Sequence, residues 1–245
     1  MRYIQKKPSP QAFEDWKQTN APTQWSDLQN EPRHPEEGIV YYSKRELREA
    51  LLIEQGHLCC YCQRRIENTI DTVLEHWFPR NGADKKKGKD HQFDYQNLMA
   101  ACNGGERENQ NRPAGTKPHP LWCDKNKKEQ IISLSPLQKD IELRLTYDQV
   151  SPDEIRILPA NNHDPDVHST LKILNLNTPY LEKRRGEAVL GLIFKDIEMK
   201  EVVSPAEAGI LLADLEQKMY ELSGDYLPEF CSVKLHFLRL LSGRT

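Results

Sequence analysis

No stretch of the 245-residue chain approaches the ~18 consecutive apolar residues that a membrane-spanning helix needs. The opening "MRYIQKKPSP" lacks the hydrophobic region of a signal peptide, so a soluble, cytoplasmic protein without a membrane partner is expected. Internal repeats and low-complexity tracts are absent, which argues against a repeat array. Cysteine is scarce: six in a chain this long are too few for a disulfide scaffold, and in a reducing compartment grouped cysteines more often mean metal. The net charge of −3 excludes a protein that coats nucleic acid with its whole surface.

The charge is unevenly spread. Residues 80–128 hold eleven Lys/Arg against six Asp/Glu, a net of +5, and the remainder holds 23 against 31, a net of −8. A basic segment on an acidic body suits local phosphate contact, although a solvated lysine loop would carry the same charge. The composition, 37% hydrophobic and 29% charged, is that of a folded chain long enough to bury a core.

Residues 1–42, rich in Pro, Gln, Asn and Glu, read as an arm laid over the body, with one short helix at "PQAFEDWKQ". "SKRELREALLIEQG" is a helix with labelled ends: Ser43 as N-cap, Glu46 completing a capping box and Gly56 as the stop. "NTIDTVLEHWF" alternates and is β-branched, so a strand is predicted up to Pro79. A lysine-rich loop then leads to "YQNLMAAC", a return strand or short helix. "NGGERENQNRPAGTKPHP" reads as a long irregular loop, "CDKNKKEQ" as helical and "IELRLTYDQ" as another strand. From about Asp166 the chain reads as helical: Thr178-Pro179 and Ser204-Pro205 each set an N-cap before an N1 proline, and Glu207 completes a second capping box. The division expected is an arm (1–42), an α/β core (43–150) and a helical C-terminal region (151–245).

Cys59 and Cys62 form a C-x-x-C knuckle, followed by Cys102 and Cys123 with twenty residues between them. Two thiolates on a tight turn and two more from elsewhere make the closed tetrahedron of structural Zn²⁺. Scattered buried cysteines are one rival. A redox pair is the other, and it lacks a surrounding βαβ pattern. Cys60 and Cys231 read as ordinary small hydrophobes.

A lone "EH" would be surface decoration. Here the knuckle, "LEHWFPR", "NLMAAC" and "CDKNKK" follow one another in an order that resembles HNH nucleases with a ββα-metal core, over about Ser43 to Glu129. The flanks "MRYIQKKPSPQAFEDWKQ", "ISLSPLQKDIELRLTYD" and "LKILNLNTPYLEKRRGEA" resemble the HNH component of Septu-type and retron-associated anti-phage systems.

That resemblance implies an α+β fold, a zinc-stapled ββα-metal HNH core with a predominantly helical C-terminal region. It also implies phosphodiester hydrolysis of DNA or RNA with Mg²⁺ or another divalent cation, and an ABC/SMC-like ATPase partner. His76 would be the general base and Glu75, where the family usually has Asp, a metal ligand. Asn97 would orient the His loop. Either Asp124 or Asn126 supplies the last metal-facing group, with Asn126 favoured because the following lysines then match the family. An imidazole accepts a proton near neutral pH, and carboxylates suit a hard cation.

Neighbours on a regular strand face opposite ways, so Glu75 and His76 share a site only if the chain kinks near Pro79. Lys85, Lys86, Lys87, Lys89, Lys125, Lys127 and Lys128 are candidate phosphate contacts. "NHDPDVH" reads as a polar loop before a helix and not as a second metal site. Two rivals stay open: a non-catalytic zinc module that binds and regulates an ATPase, and a sequence-specific DNA binder, for which no recognition helix is evident.

Overall fold

The computed structural model describes residues 1–31, 40–193 and 205–243. Its elements run α1 (Gln11–Asn20), α2 (Lys44–Gln55), β1 (Thr72–His76), α3 (Lys85–Asp90), β2 (Leu98–Cys102), α4 (Glu106–Gln110) and α5 (Cys123–Lys127). There follow β3 (Leu145–Ser151), β4 (Glu154–Pro159), α6 (Pro165–Leu174), α7 (Pro179–Leu192), α8 (Pro205–Lys218) and α9 (Cys231–Leu241). The fold is α+β, with small antiparallel sheets β1–β2 and β3–β4 among the helices.

The labelled ends of α2 form as the sequence predicts. The Ser43 hydroxyl accepts from the Glu46 N–H, the Glu46 carboxylate accepts from the Ser43 N–H, and Gly56 leaves the helix left-handed at φ 61°. Leu47, Leu51 and Leu52 then bury one face against β1–β2. At its end the buried Gln55 side chain pairs with β2 like a strand: its amide donates to the Ala100 carbonyl and its carbonyl accepts from the Ala100 N–H, both at 2.8 Å. Cys60 N–H also donates to Ala100 O, at 3.1 Å. Helix end and cysteine knuckle are thereby locked to the middle of β2.

β1 and β2 pair from Thr72↔Cys102 to His76↔Leu98. β2, "LMAAC", is buried along its whole length, since α2, the knuckle and α5 cover it. The lysine-rich loop contains a short helix, α3, capped by Asp84 accepting from Lys87 N–H. Its Gly88 lies against the Pro79 and Arg80 carbonyls, so only a residue without Cβ fits there. The expected irregular loop likewise contains α4.

The strand expected at "IELRLTYDQ" is β3, paired with an unpredicted β4 in a hairpin that straddles residue 150. A single buried cluster runs from Met1 to Val233. Thr178 caps α7 as expected, accepting from Leu181 N–H. Ser204 and the part of the expected helix beyond residue 193 lie outside the described residues. A second apolar cluster joins Leu58 to Leu192 of α7, Leu215 of α8 and Leu235 and Leu238 of α9.

Gly186 of α7 packs directly under the Asp153 carbonyl of the β3–β4 turn, whereas Gly191 on the same helix faces open space. Gly186→Ala is expected to destabilise the protein by ~1–3 kcal/mol through overpacking. Gly191→Ala is expected to be neutral or to stabilise by roughly 0.4–1 kcal/mol, since alanine is the better helix former. Gly186→Ala should melt below the parent, and Gly191→Ala at or above it. Equal melting temperatures would contradict this packing.

Candidate active site and metal centre

The knuckle is built by a turn. Cys59 N–H donates to Arg64 O at 2.9 Å, Gln63 N–H to Cys59 O at 3.0 Å and Ile66 N–H to His57 O at 3.0 Å. This turns Cys59 and Cys62 toward Cys102, the last residue of β2, and Cys123, the first of α5. All four sulfurs are buried and lie within 4.8 Å of one another. Cys59 and Cys123 are 3.9 Å apart, and Cys62 and Cys102 3.8 Å. Four sulfurs held at ~2.3 Å from one ion in a tetrahedron stand roughly 3.8 Å apart, so the cluster fits a metal such as zinc.

Its surroundings fit as well. Burial opposes the charge of Arg64, but Cys62, Glu108 and Cys102 hold it above the ordinary guanidinium range. Arg185, buried completely, is brought down to about 10 by desolvation, while Tyr147, Cys62, Glu182 and Cys123 favour its charge. Two cations thus face a cluster that would carry excess negative charge as a tetrathiolate. Cys60 and Cys231 are buried outside the quartet, as expected.

β1 starts opposite Cys102 and runs away from the cluster, and its last two side chains diverge. The strand is regular through His76, and Trp77 N–H still donates to Asn97 O at 3.0 Å, so the kink expected near Pro79 does not gather Glu75 and His76 on one face. Glu75 turns toward the knuckle and α5. Its Oε1 accepts from Tyr61 Oη at 2.8 Å and pairs with Lys127 Nζ at 2.7 Å, and it hydrogen-bonds Asp124. Burial above all, then the Asp124 charge, pushes Glu75 up to about 8 against the pull of Lys127.

His76 turns toward the N-terminal arm. Its Nε2 lies 3.0 Å from the Gln92 carbonyl, and its ring meets Trp25 edge to face at 4.5 Å. A carbonyl only accepts, so Nε2 carries the proton and Nδ1 keeps its lone pair. Burial, then Arg80, brings the imidazole down to about 3 despite the Gln92 bond. It is neutral throughout the physiological range. Lys127 joins the two halves, since its ammonium also donates to His76 O at 3.0 Å.

Asn97 fastens the loop that follows His76. Its amide donates to Phe78 O at 3.1 Å and His91 O at 3.2 Å, and its Oδ1 accepts from Phe78 N–H at 2.7 Å. Of the two candidates Asp124 and Asn126, Asp124 lies beside Glu75. Asn126, the favoured residue, instead donates to Ile173 O of α6 at 2.9 Å.

Lys127 is a correction. It was expected on a phosphate, but its side chain is only 1% exposed and is spent on Glu75. Lys125 pairs with Glu106 at 3.1 Å, and Lys87 lies over the Phe78 ring at 4.7 Å. Lys85, Lys86, Lys89 and Lys128 are exposed.

Sequence reasoning missed Tyr61, Lys127 in its structural role, Gln92, Arg80 and Trp25. Lys127 was findable, because it stands three residues after Asp124 and so shares its helix face. Trp25 and Gln92 reach the site only through tertiary packing.

With this geometry in place, similarity to known proteins can be weighed. Over 168 residues the chain is 23% identical to the "Retron Vc95 putative HNH endonuclease" of Vibrio cholerae serotype O1 biovar El Tor. The match covers 68% of this chain and 73% of the other. The two are distant relatives. No family model matches the chain.

Purified protein is expected to carry about one equivalent of tightly held metal, zinc by its donor set, when assayed by plasma mass spectrometry. Cys102→Ser should lose it and Cys60→Ser should keep it. Full metal retention in Cys102→Ser would contradict the cluster.

Proposed function

We propose that this protein is a metal-dependent endonuclease of the HNH type, which hydrolyses phosphodiester bonds in DNA or RNA. On this reading β1, β2 and α5 are a ββα-metal core stapled by Zn²⁺. The observation that carries the reading is the imidazole of His76: neutral, fixed through Nε2 on a backbone carbonyl, and left with an unprotonated Nδ1. The distant relative named as an HNH endonuclease supports the same class.

The donors present suit a hard cation. Glu75 and Asp124 are two carboxylates hydrogen-bonded to each other, a crowding of negative charge that Mg²⁺ or a similar ion relieves. Glu75 and Asp124 would hold it, and Lys127 and Tyr61 would orient Glu75. Bound there, the cation would neutralise charge on the phosphate oxygens. His76 leaves β1 on the face opposite Glu75, so the phosphate would straddle the strand end for His76 Nδ1 to take the proton of the attacking water as its oxygen bonds to phosphorus. The bond to the 3′ oxygen would break, and that oxygen would leave with the electron pair and be protonated by solvent. Asn97 would keep the loop, and with it the Gln92 carbonyl, in register.

The resemblance of the flanking segments supports a place in an anti-phage complex with an ABC/SMC-like ATPase. Co-purification with such a partner encoded beside this chain would test it.

His76→Ala is expected to reduce Mg²⁺-dependent cleavage of DNA or RNA by about 10²–10⁴-fold, the usual share of a general base. Equal cleavage by the variant would overturn the assignment.

The pH dependence follows from Glu75. Its folded value is raised above that of the unfolded chain, so its proton is kept at low pH and lost as pH rises through about 8. A cation must displace that proton. At limiting Mg²⁺ the rate should therefore fall as pH drops from 8 to 6, and saturating Mg²⁺ should restore it. A fall that no concentration of Mg²⁺ reverses would point to His76 titrating in that range, against its burial.

A further inference from the structure

The flank of His76 that faces away from the cysteines holds a group of cations. Trp25, in a short 3₁₀ turn of the N-terminal arm, touches the His76 ring at 4.5 Å. Two cations lie over the same indole: Lys44 Nζ at 5.7 Å and the Arg80 guanidinium at 5.7 Å. Adding those separations bounds both charges to within about 10 Å of the imidazole.

They come from distant parts of the chain, Lys44 from the first position of α2 and Arg80 from the segment just after β1. The indole gathers them. Among the described residues neither the Lys44 ammonium nor the Arg80 guanidinium makes an ion pair or a hydrogen bond, although the Lys44 backbone N–H donates to Gln29 O. Arg80 feels Glu129 and Glu75 without bonding either, and Glu129 is taken up by Asn81 at 3.1 Å. Burial opposes the charge on Lys44, and Arg80 and Arg48 oppose it further.

Such an arrangement is costly when empty. Two half-buried like charges repel across an aromatic ring, and no carboxylate of the described residues pairs with either. Lys85, Lys86 and Lys89 of α3, by contrast, are simply solvated. An anion beside His76 would turn this repulsion into attraction, and the anion a phosphodiesterase brings to its base is the substrate backbone.

We propose that Lys44 and Arg80, positioned by Trp25, form the phosphate-binding cradle that seats the nucleic-acid backbone at His76. The inference rests on the nuclease reading above and deepens it, since it makes the N-terminal arm part of the site. It assigns backbone contact to these two residues and no base-specific contact, so binding is sequence-blind and salt-sensitive. Trp25 acts through the two cations and is a positioning residue.

The test is binding of fluorescein-labelled 20-nucleotide single-stranded and duplex probes, DNA and RNA, by anisotropy across a salt series. No divalent cation is added, so the strands stay intact. Each phosphate contact contributes about 0.7–0.9 to the slope of log K against log salt. Lys44→Gln and Arg80→Gln should each lower that slope by about this amount, and the double variant by about twice as much. Arg80→Lys should keep the slope, and so should Lys183→Gln, on the exposed face of α7. Trp25→Leu should weaken binding with the slope nearly unchanged, because both charges remain.

Melting curves matching the parent would establish that the variants are folded. A double variant with the parental slope, in a protein that still cleaves, would overturn this inference alone. Failure of the parent to bind any of the probes would overturn the nuclease reading together with it.

Discussion

Four buried thiols in mutual contact hold the rest of this structure in place. They come from the knuckle after α2, the end of β2 and the start of α5, segments with little regular structure of their own to bring them together. Burial pushes Cys123 up, and Cys102 is raised with it. Cys59 goes the other way: hydrogen bonds from Cys102, Cys123, Cys60 and Cys62 outweigh its burial and hold it well below the ordinary thiol range. Cys102 and Cys123 therefore hold their protons more tightly without metal, and a metal ion that displaces them ties folding to its own binding free energy. In small zinc modules that free energy is ~10–16 kcal/mol, comparable to the whole stability of a domain.

The candidate site sits one step away from that staple. Cys102 and Cys123 fix the ends of β2 and α5, which in turn fix Glu75 by strand register and Asp124 by helix position. Lys127 then connects Glu75 to the backbone of His76 with a buried ammonium. A buried pair of this kind adds little net stability, but removing either partner leaves an uncompensated charge, so it defines a single arrangement of the two side chains. His76 is fixed from the other side by Trp25 and Gln92. His76 and the two carboxylates thus have separate supports on opposite faces at the end of one strand.

How far the sequence spoke for this depended on range. Helix α2 was legible because its cap, its apolar face and its glycine stop are all local. The cysteine quartet was legible from residue type and spacing. β4 was overlooked although Ile155 and Ile157 alternate and are buried, because "SPDEIRILP" follows directly on a strand and its turn is short. The choice between Asp124 and Asn126 turned on helix phase, and Asn126 found the Ile173 carbonyl on α6, a partner 47 residues away. Lys127 looked like a surface cation in a basic run until packing buried it. Trp25 carried no local signal, since only the tertiary fold brings the arm to His76.

The central claim is that the thiolate cluster holds β1 and β2 in the register that presents the site. Hydrogen exchange read by mass spectrometry, on metal-loaded protein and on protein stripped by a chelator, tests it most directly. Amides of residues 72–76 and 98–102 should lose protection together on stripping, while those of the β3–β4 hairpin lose less. Unchanged protection across 72–76 and 98–102 after complete metal removal would contradict the account.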